Sequence, residues 1–245
     1  MKRIITAVLL FCFVQSQAQD VRYDYVEDTP LRYTSEFSIG ATLHTSGWGF
    51  MFRKGKNLTV SKKRMFEVEV VSMKHPKEYK TVSYLSERPK TFVFGKMNSL
   101  LVVHGGYCFE KVLFTKAERK NFEIRWNSTG GLSFGITKPV YLIFASGNGL
   151  QVVEKYDPNN PAHDRDNVYG KAEFTKGLNE LKLYPGLHLK SGLMFEYNIL
   201  NDGITAIEAG AMVDAYAKEI PIMAFTKNKQ VFFNLYATFM LGRKK

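Results

Sequence analysis

The strict alternation of residue types between Asn228 and Lys244 constrains the fold of this chain more than any other feature. Successive side chains of a strand point to opposite faces, so a period of two separates them into two sets. One set is wholly apolar, and the other mixes polar groups with aromatic ones. The apolar set is Val231, Phe233, Leu235, Ala237, Phe239 and Leu241, and the mixed set is Phe232, Asn234, Tyr236, Thr238 and Met240. The segment is therefore predicted to be a long amphipathic strand.

The N-terminus has the pattern of a secretory signal peptide. Lys2 and Arg3 precede an apolar run over residues 4–14, and Ser16 and Ala18 fit a small-residue cleavage site. We expect residues 1–18 to be removed and residues 19–33 to form a polar periplasmic lead-in. No later stretch approaches the roughly 20 consecutive apolar residues that a membrane-spanning helix needs.

The charge balance is basic, with 34 Lys and Arg residues against 23 Asp and Glu residues. Removal of Lys2 and Arg3 with the signal leaves 32 basic residues against 23 acidic ones, a net charge of +9. An exported chain does not meet nucleic acid, so the expected partners are lipid, lipopolysaccharide and other outer-membrane or periplasmic proteins. A solvated basic rim explains the charge equally well. No cofactor is predicted, and Cys108, the cysteine left after the signal, is expected to be a packing residue.

Seven further segments upstream of the last one alternate in the same way. The predicted strands are about Ser35 to Thr45, a second around Trp48, Phe50 and Phe52, then Arg64 to Lys74, Ser99 to Phe114, Phe122 towards Pro139, Glu180 to Tyr197, Thr205 to Ala217, and the last strand. If the first strand runs outward, the connections 54–62, 115–120 and 198–204 are short periplasmic turns. The long connections 75–98 and 145–179 then lie outside, which is the asymmetry of outer-membrane barrels.

A membrane barrel and a soluble β-sandwich or lipocalin-like barrel share this alternation. The signal peptide, the aromatic last strand and the aromatic residues near strand ends favour the membrane. Those strand-end residues are Trp48, Tyr107, Trp126, Tyr141 and Tyr197. We therefore predict an all-β fold over residues 34–245, an eight-stranded antiparallel up-and-down transmembrane β-barrel in the cell outer membrane.

The polar faces of the strands predict a lumen filled by side chains. Eight strands enclose an interior just wide enough for their own side chains, and a buried charge is costly without a partner. The predicted polar network consists of Glu67, Glu69, Glu123, Arg125, His188, Lys190, Glu208 and Asp214. Such a plug argues against a diffusion pore.

The loop 145–179 contains oxygen-bearing side chains that calcium could use. The candidates are Asp157, Asp164 and Asp166, with Asn159 and His163 nearby. Their spacing matches no standard calcium loop, and prolines with asparagines also describe an ordinary surface turn. We therefore predict no metal site there.

His44 and Ser46 lie two residues apart, on one face of the first strand. They resemble the His-x-Ser pair of outer-membrane lipid A deacylases, in which the histidine activates the serine for acyl transfer. That family carries its pair near the chain end, whereas here Ser46-Gly47 also has a plain use as a turn. Catalysis by this pair is kept as an alternative.

Three stretches carry a broader resemblance, namely AlaGlnAsp at 18–20, the glycine-rich run at 130–136 and the segment from Phe232 to Lys245. They resemble small outer-membrane barrels of the Bacteroidota, including those associated with type IX secretion. The resemblance implies a non-enzymatic accessory or structural subunit of a larger envelope complex for protein secretion, barrel assembly or surface export. The alternatives are a lipid A acyl hydrolase that uses His44 and Ser46, and an OmpA-like adhesin that acts through its outer loops.

Overall fold

The computed structural model describes residues 34–58, 62–85, 90–114, 122–146, 150–197 and 203–245. The predicted signal peptide (1–18) and lead-in (19–33) lie outside the described residues. The strands are β1 (Ser35–His44), β2 (Gly47–Asn57), β3 (Lys62–Met73), β4 (Lys80–Val82), β5 (Thr91–Val93), β6 (Asn98–Phe114), β7 (Phe122–Pro139), β8 (Tyr141–Ala145), β9 (Gln151–Lys155), β10 (Val168–Lys171), β11 (Lys182–Tyr197), β12 (Gly203–Ile220) and β13 (Lys229–Lys244).

The eight long strands form a closed antiparallel barrel in the order β1-β13-β12-β11-β7-β6-β3-β2. Every strand pairs with its sequence neighbour among these eight, and β1 pairs with β13 to close the ring. The closing register runs from Glu36 opposite Lys244 to His44 opposite Tyr236. The prediction of an eight-stranded up-and-down barrel is therefore confirmed.

The two ends of the barrel differ in their connections. The first and last described residues, Thr34 and Lys245, lie together at one end, where the backbone N–H of Thr34 donates to the carbonyl of Lys245. The connections between β2 and β3, β6 and β7, and β11 and β12 are short and lie at that same end. Short turns mark the periplasmic end of such barrels, so the opposite end faces outward.

The barrel wall is apolar outside and polar inside. Phe50, Leu189 and Phe233 expose 62%, 66% and 64% of their surfaces, whereas Glu69 and Asp214 inside are wholly buried. A soluble barrel has the opposite polarity, because water would face the charges and the core would hold the apolar groups. The lipocalin-like and sandwich alternatives are therefore excluded, and the wall faces lipid. No helix among the described residues is long and apolar enough to cross a membrane.

The lumen is layered and is not polar throughout. Charged side chains occupy its middle and its periplasmic side, with a small apolar cluster around Met51 and Met194. Its outer part is a larger apolar cluster that includes Val71, Leu100 and Val102. Leu100 and Val102 lie on β6, where the alternation of polar and apolar residues is weak because both faces of the outer part of this strand are apolar.

The β12–β13 connection covers the outer mouth of the lumen. Ile222 and Met223 join the outer apolar cluster, and the carbonyl of Ile222 accepts hydrogen bonds from the backbone N–H groups of Met97 and Asn98. The backbone N–H of Ala224 donates to the carbonyl of Gly95 at 2.7 Å. The connection is thus held by β-like bonds to the segment that precedes β6, and the barrel is closed at this end.

Both long outer connections contain strands that the sequence did not predict. β4 pairs with β5, and β10, β8 and β9 form a three-stranded sheet in that order. We call these two sheets together the outer platform. They share a core of Phe92, Leu142, Phe144, Tyr156 and Val168, and the Ser83 hydroxyl donates to the Val168 carbonyl at 2.6 Å. The outer loops are therefore folded elements that extend the barrel outward.

Replacing Leu189 with Arg tests whether the wall faces lipid. Leu189 is near the middle of β11 and points outward, so we expect Leu189→Arg to lower the free energy of unfolding in lipid vesicles by about 2–4 kcal/mol. Leu178 is also exposed but lies on the outer side beyond the barrel strands. Leu178→Arg should stay within about 0.5 kcal/mol of the wild type. Equal losses in urea titrations of the two variants would contradict a lipid-facing wall.

Candidate functional site

The structure places the eight side chains of the predicted polar network on the inner wall. Seven of them are buried, and Glu123, at the periplasmic end, exposes 16% of its side chain. They come from four strands that the barrel brings round one axis: Glu67 and Glu69 on β3, Glu123 and Arg125 on β7, His188 and Lys190 on β11, and Glu208 and Asp214 on β12.

Arg53 of β2 lies at the centre of this network. Its guanidinium donates to Glu67 at 2.5 and 2.8 Å, to Glu110 at 3.0 Å and to Glu208 at 3.0 Å. Glu208 also accepts hydrogen bonds from Asn127 at 2.7 Å and Tyr236 at 2.6 Å. Because Arg53 and Glu208 each expose 1% of their side chains, no open channel passes this level.

A second arginine organises the periplasmic side of the lumen. Arg125 contacts Glu110 at 3.2 Å and Glu123 at 2.5 Å, and it also forms an ion pair with Glu196. Lys63 pairs with Glu36 at 2.5 Å nearby. Since Glu110 contacts both arginines, the two halves of the network are continuous.

Several members of the network were not among the predicted ones. They are Glu36, Arg53, Lys63, His104, Glu110, Glu196 and Tyr236. The signal for Arg53 was present, because it falls two residues after Met51 on the face opposite Phe50 and Phe52. The second strand was predicted only from its aromatic residues, and its inward positions were not assigned to the polar network.

Glu69, His104 and His188 form a compact group on the outer side of Arg53. Each offers one ligand atom, and these atoms lie within 4.8 Å of one another. The imidazole rings of His104 and His188 stack with centroids 3.8 Å apart. Asp214 contacts both rings, at 2.9 Å from His104 Nε2 and 2.8 Å from His188 Nδ1. Within the described residues this is the one group of three that could hold a metal ion.

His44 and Ser46 are close together but are not arranged as a base and its nucleophile. The Ser46 hydroxyl donates to Asn234 Oδ1 at 2.6 Å, whereas His44 Nδ1 accepts from the Ser46 backbone N–H at 3.3 Å. A catalytic pair needs the imidazole to take the hydroxyl proton. Here the hydroxyl proton of Ser46 is donated to Asn234 Oδ1, and the hydrogen bond between the Ser46 N–H and His44 Nδ1 is part of the β1–β2 turn.

Two of the candidate acids in the loop 145–179 accept hydrogen bonds from nearby backbone N–H groups. Asp157 Oδ1 accepts from the backbone N–H of Asn159 at 2.9 Å, and Asp164 Oδ1 accepts from that of Arg165 at 2.6 Å. Asp166 is exposed. Both ring nitrogens of His163 are engaged, by the Asp157 backbone and by Glu154. Burial raises the pKa of the neighbouring Tyr156 phenol, and Asp157 and Asp164 add to this shift.

The outer platform has an open edge. β9 pairs with β8 on one side, and the described residues place no strand on its other side. All five β9 residues are exposed, including Val152 and Val153 on opposite faces. Phe225, 77% exposed, has a φ of 57°, which is unusual for a bulky residue. The outward side therefore displays apolar groups and an unpaired strand edge.

A closed antiparallel barrel with an apolar belt and short turns at one end is the architecture of proteins that span the outer membrane of Gram-negative bacteria. This protein is an outer-membrane β-barrel. No protein-family model and no curated protein sequence matches the chain. The comparisons thus give no support to the narrower resemblance to Bacteroidota barrels.

Solved structures of outer-membrane proteins are similar at low identity. Neisserial surface protein A aligns with a TM-score of 0.43 and 9% identity, over 87% of this chain and 97% of that one. Ail of Yersinia pestis, solved with the heparin analogue sucrose octasulfate, has a TM-score of 0.39 and 11% identity over 87% and 98%. A major outer membrane protein from Thermus thermophilus has a TM-score of 0.40 and 11% identity over 85% and 100%.

Replacing Arg53 tests how much the stability of the barrel depends on the buried ion pairs. Arg53→Met leaves three carboxylates without their shared partner, so the free energy of unfolding in vesicles should fall by about 3–5 kcal/mol. Lys54, the next residue, points outward and is exposed. Lys54→Met should therefore change stability by less than about 0.5 kcal/mol. A loss of under about 1 kcal/mol for Arg53→Met would show that the network is hydrated.

Replacing Ser46 tests the catalytic alternative directly. Because its hydroxyl donates to Asn234 and not to His44, Ser46→Ala should leave the acyl pattern of lipid A unchanged. The measurement is mass spectrometry of lipid A from cells that carry the wild type, the variant or a gene deletion. A missing acyl chain that depends on Ser46 would establish the enzyme and overturn the structural interpretation.

Proposed function

We propose that the protein is a non-enzymatic accessory subunit of a larger cell-envelope complex and that it binds a partner protein through β9. The open edge of this strand carries the proposal. Secretion, barrel assembly and surface export are the processes in which such a subunit would serve. The barrel anchors the platform in the outer membrane, and the platform makes the contact.

The filled lumen supports a role outside the barrel interior. Arg53, Glu69 and Asp214 expose 1%, 0% and 0% of their surfaces, so a solute has no route past them. The outer mouth is also covered by the β12–β13 connection. Transport through the barrel is therefore a poor explanation of the function. The surfaces at the two ends of the barrel and on its outer wall are the remaining places where it could act.

An unpaired strand edge is a ready template for another chain. Its free N–H and C=O groups can add one more strand, and exposed side chains on both faces then supply specificity. β9 offers Val152 and Val153, exposed by 38% and 43%, and Leu150 precedes it at 66%. Lys155 and Glu154 are the charged residues of this strand. We infer that a strand of the partner pairs with β9.

Other features of the outer side fit a protein contact. Phe174 and Phe225 expose 69% and 77% of their surfaces, although large apolar side chains are normally buried. The backbone at Phe225 is held at a positive φ, which costs free energy and recurs at binding sites. The exposed Lys74 and Lys77 on this side are suited to lipopolysaccharide phosphates, so lipid contacts would accompany the protein contact.

Site-specific crosslinking tests the proposal in living cells. A benzophenone amino acid at position 153 should capture an envelope protein of the same cell, whereas the same group at position 178 should capture little. Val152→Lys with Val153→Lys places charge on the edge and should reduce copurification of that protein roughly tenfold, which corresponds to about 1.4 kcal/mol. Leu178→Lys, on the same outer side, is the matched control.

Two outcomes would contradict parts of this proposal. Copurification that is insensitive to the β9 changes would exclude this strand as the contact. Capture at position 153 only after mixing with another cell type would favour the adhesin alternative, which uses the same outer loops.

A further inference from the structure

Buried polar atoms of three residues converge in the lumen without hydrogen-bond partners. They are Glu69 Oε2, both ring nitrogens of His104 and His188 Nε2, and all three residues are at least 97% buried. Burying a polar atom without a partner is destabilising, so four of them at one place require an explanation. The ligand atoms of the three residues lie within 4.8 Å of one another, and His104 Nδ1 is 3.4 Å from Glu69 Oε2.

Asp214 determines which ring nitrogens face this point. Asp214 Oδ1 is hydrogen-bonded to His188 Nδ1 at 2.8 Å, and His104 Nε2 lies 2.9 Å from the same oxygen. Because a carboxylate only accepts hydrogen bonds, we assign the proton of each neutral ring to the nitrogen that faces Asp214. The lone pairs are then on His104 Nδ1 and His188 Nε2. A carboxylate behind the imidazole is the usual support of a histidine that binds a metal. One aspartate supplies it to both rings.

The charges of the lumen also favour a bound cation. Eight carboxylates face five basic side chains in its described part. The carboxylates are Glu36, Glu67, Glu69, Glu110, Glu123, Glu196, Glu208 and Asp214, and the basic side chains are Arg53, Lys63, Arg125, Lys190 and Lys244. The carboxylates outnumber these lysines and arginines by three, and His44, His104 and His188 also face the lumen. A divalent cation would offset two of the three charges, which are costly in a buried site.

We propose that Glu69, His104 and His188 form a transition-metal site inside the barrel, with Asp214 orienting both imidazoles. Two imidazoles and a carboxylate suit Zn²⁺, which takes nitrogen and oxygen ligands at about 2.0–2.2 Å. The ligands lie on β3, β6 and β11, so the ion links three strands across the lumen. Lys190, 3.5 Å from Glu69 Oε2, keeps its shorter contact with Glu67 at 3.1 Å.

Occupancy has a structural consequence. A metal lies in the plane of each imidazole that binds it, whereas the two rings are now stacked with an interplanar angle of 18°. Binding therefore turns the rings out of the stack and brings the three ligand atoms to about 3–3.5 Å from one another. Loss of the stack is visible in the histidine NMR signals of the folded barrel.

The test refolds the full mature chain in detergent with Zn²⁺, with Co²⁺ or with a chelator, since a buried site is loaded during folding. The wild type should retain one metal per chain by elemental analysis, and Co²⁺ should give the visible bands of a low-coordinate site. At roughly a hundredfold excess over Kd the midpoint of thermal unfolding should rise by about 5–10 °C. His188→Gln should abolish all three effects.

His163→Gln is the matched control, because His163 is also buried but binds Glu154 on the outer platform. It should retain the metal, and circular dichroism verifies that both variants are folded. If the wild type retains no more metal than His188→Gln, or if the metal is lost in His163→Gln instead, the site is rejected. Should His188→Gln not fold, Glu69→Gln provides the same comparison.

Discussion

The ion pairs of Arg53 are the interaction on which the rest of the structure depends. One guanidinium on β2 binds carboxylates on β3, β6 and β12, so it connects strands across the lumen as well as beside it. The lipid outside offers no hydrogen bonds and the lumen side chains are buried, so each buried charge relies on its neighbours. The barrel stays closed because opening it would separate these charges.

The sequence predicted the barrel well because lipid and lumen impose opposite demands on alternate residues. Between Val231 and Leu241, β13 has apolar groups at every outward position and polar or bulky ones at every inward position, which produces the alternation. The inward acids of β3, β7 and β12 followed from the same rule. Arg53 did not, since pairing between distant strands decides which buried charge lies at the centre of the network.

The outer platform could not be predicted from local patterns. β4 and β5 have three residues each, and β9 is exposed on both faces, so none of them alternates. Their order comes from a core in which Phe92, Phe144 and Ala224 meet from three separate connections. Such long-range packing leaves no periodic trace in the sequence. The surface proposed to bind a partner is thus the part with the weakest sequence signal.

Several buried polar atoms without hydrogen bonds lie where the charged part of the lumen meets its outer apolar cluster. On the periplasmic side, acidic side chains form ion pairs with Arg53 and Arg125. On the outer side, the side chains of Val71, Leu100 and Val102 form no hydrogen bonds. Glu69 lies two residues before Val71 on β3, and Asp214 lies two residues before Tyr216 on β12, so each carboxylate has an apolar or aromatic neighbour on its outer side. His104 and His188 lie where the charged part of the lumen meets its outer apolar cluster, and a bound cation or a proton on a ring nitrogen would satisfy the atoms that lack partners there.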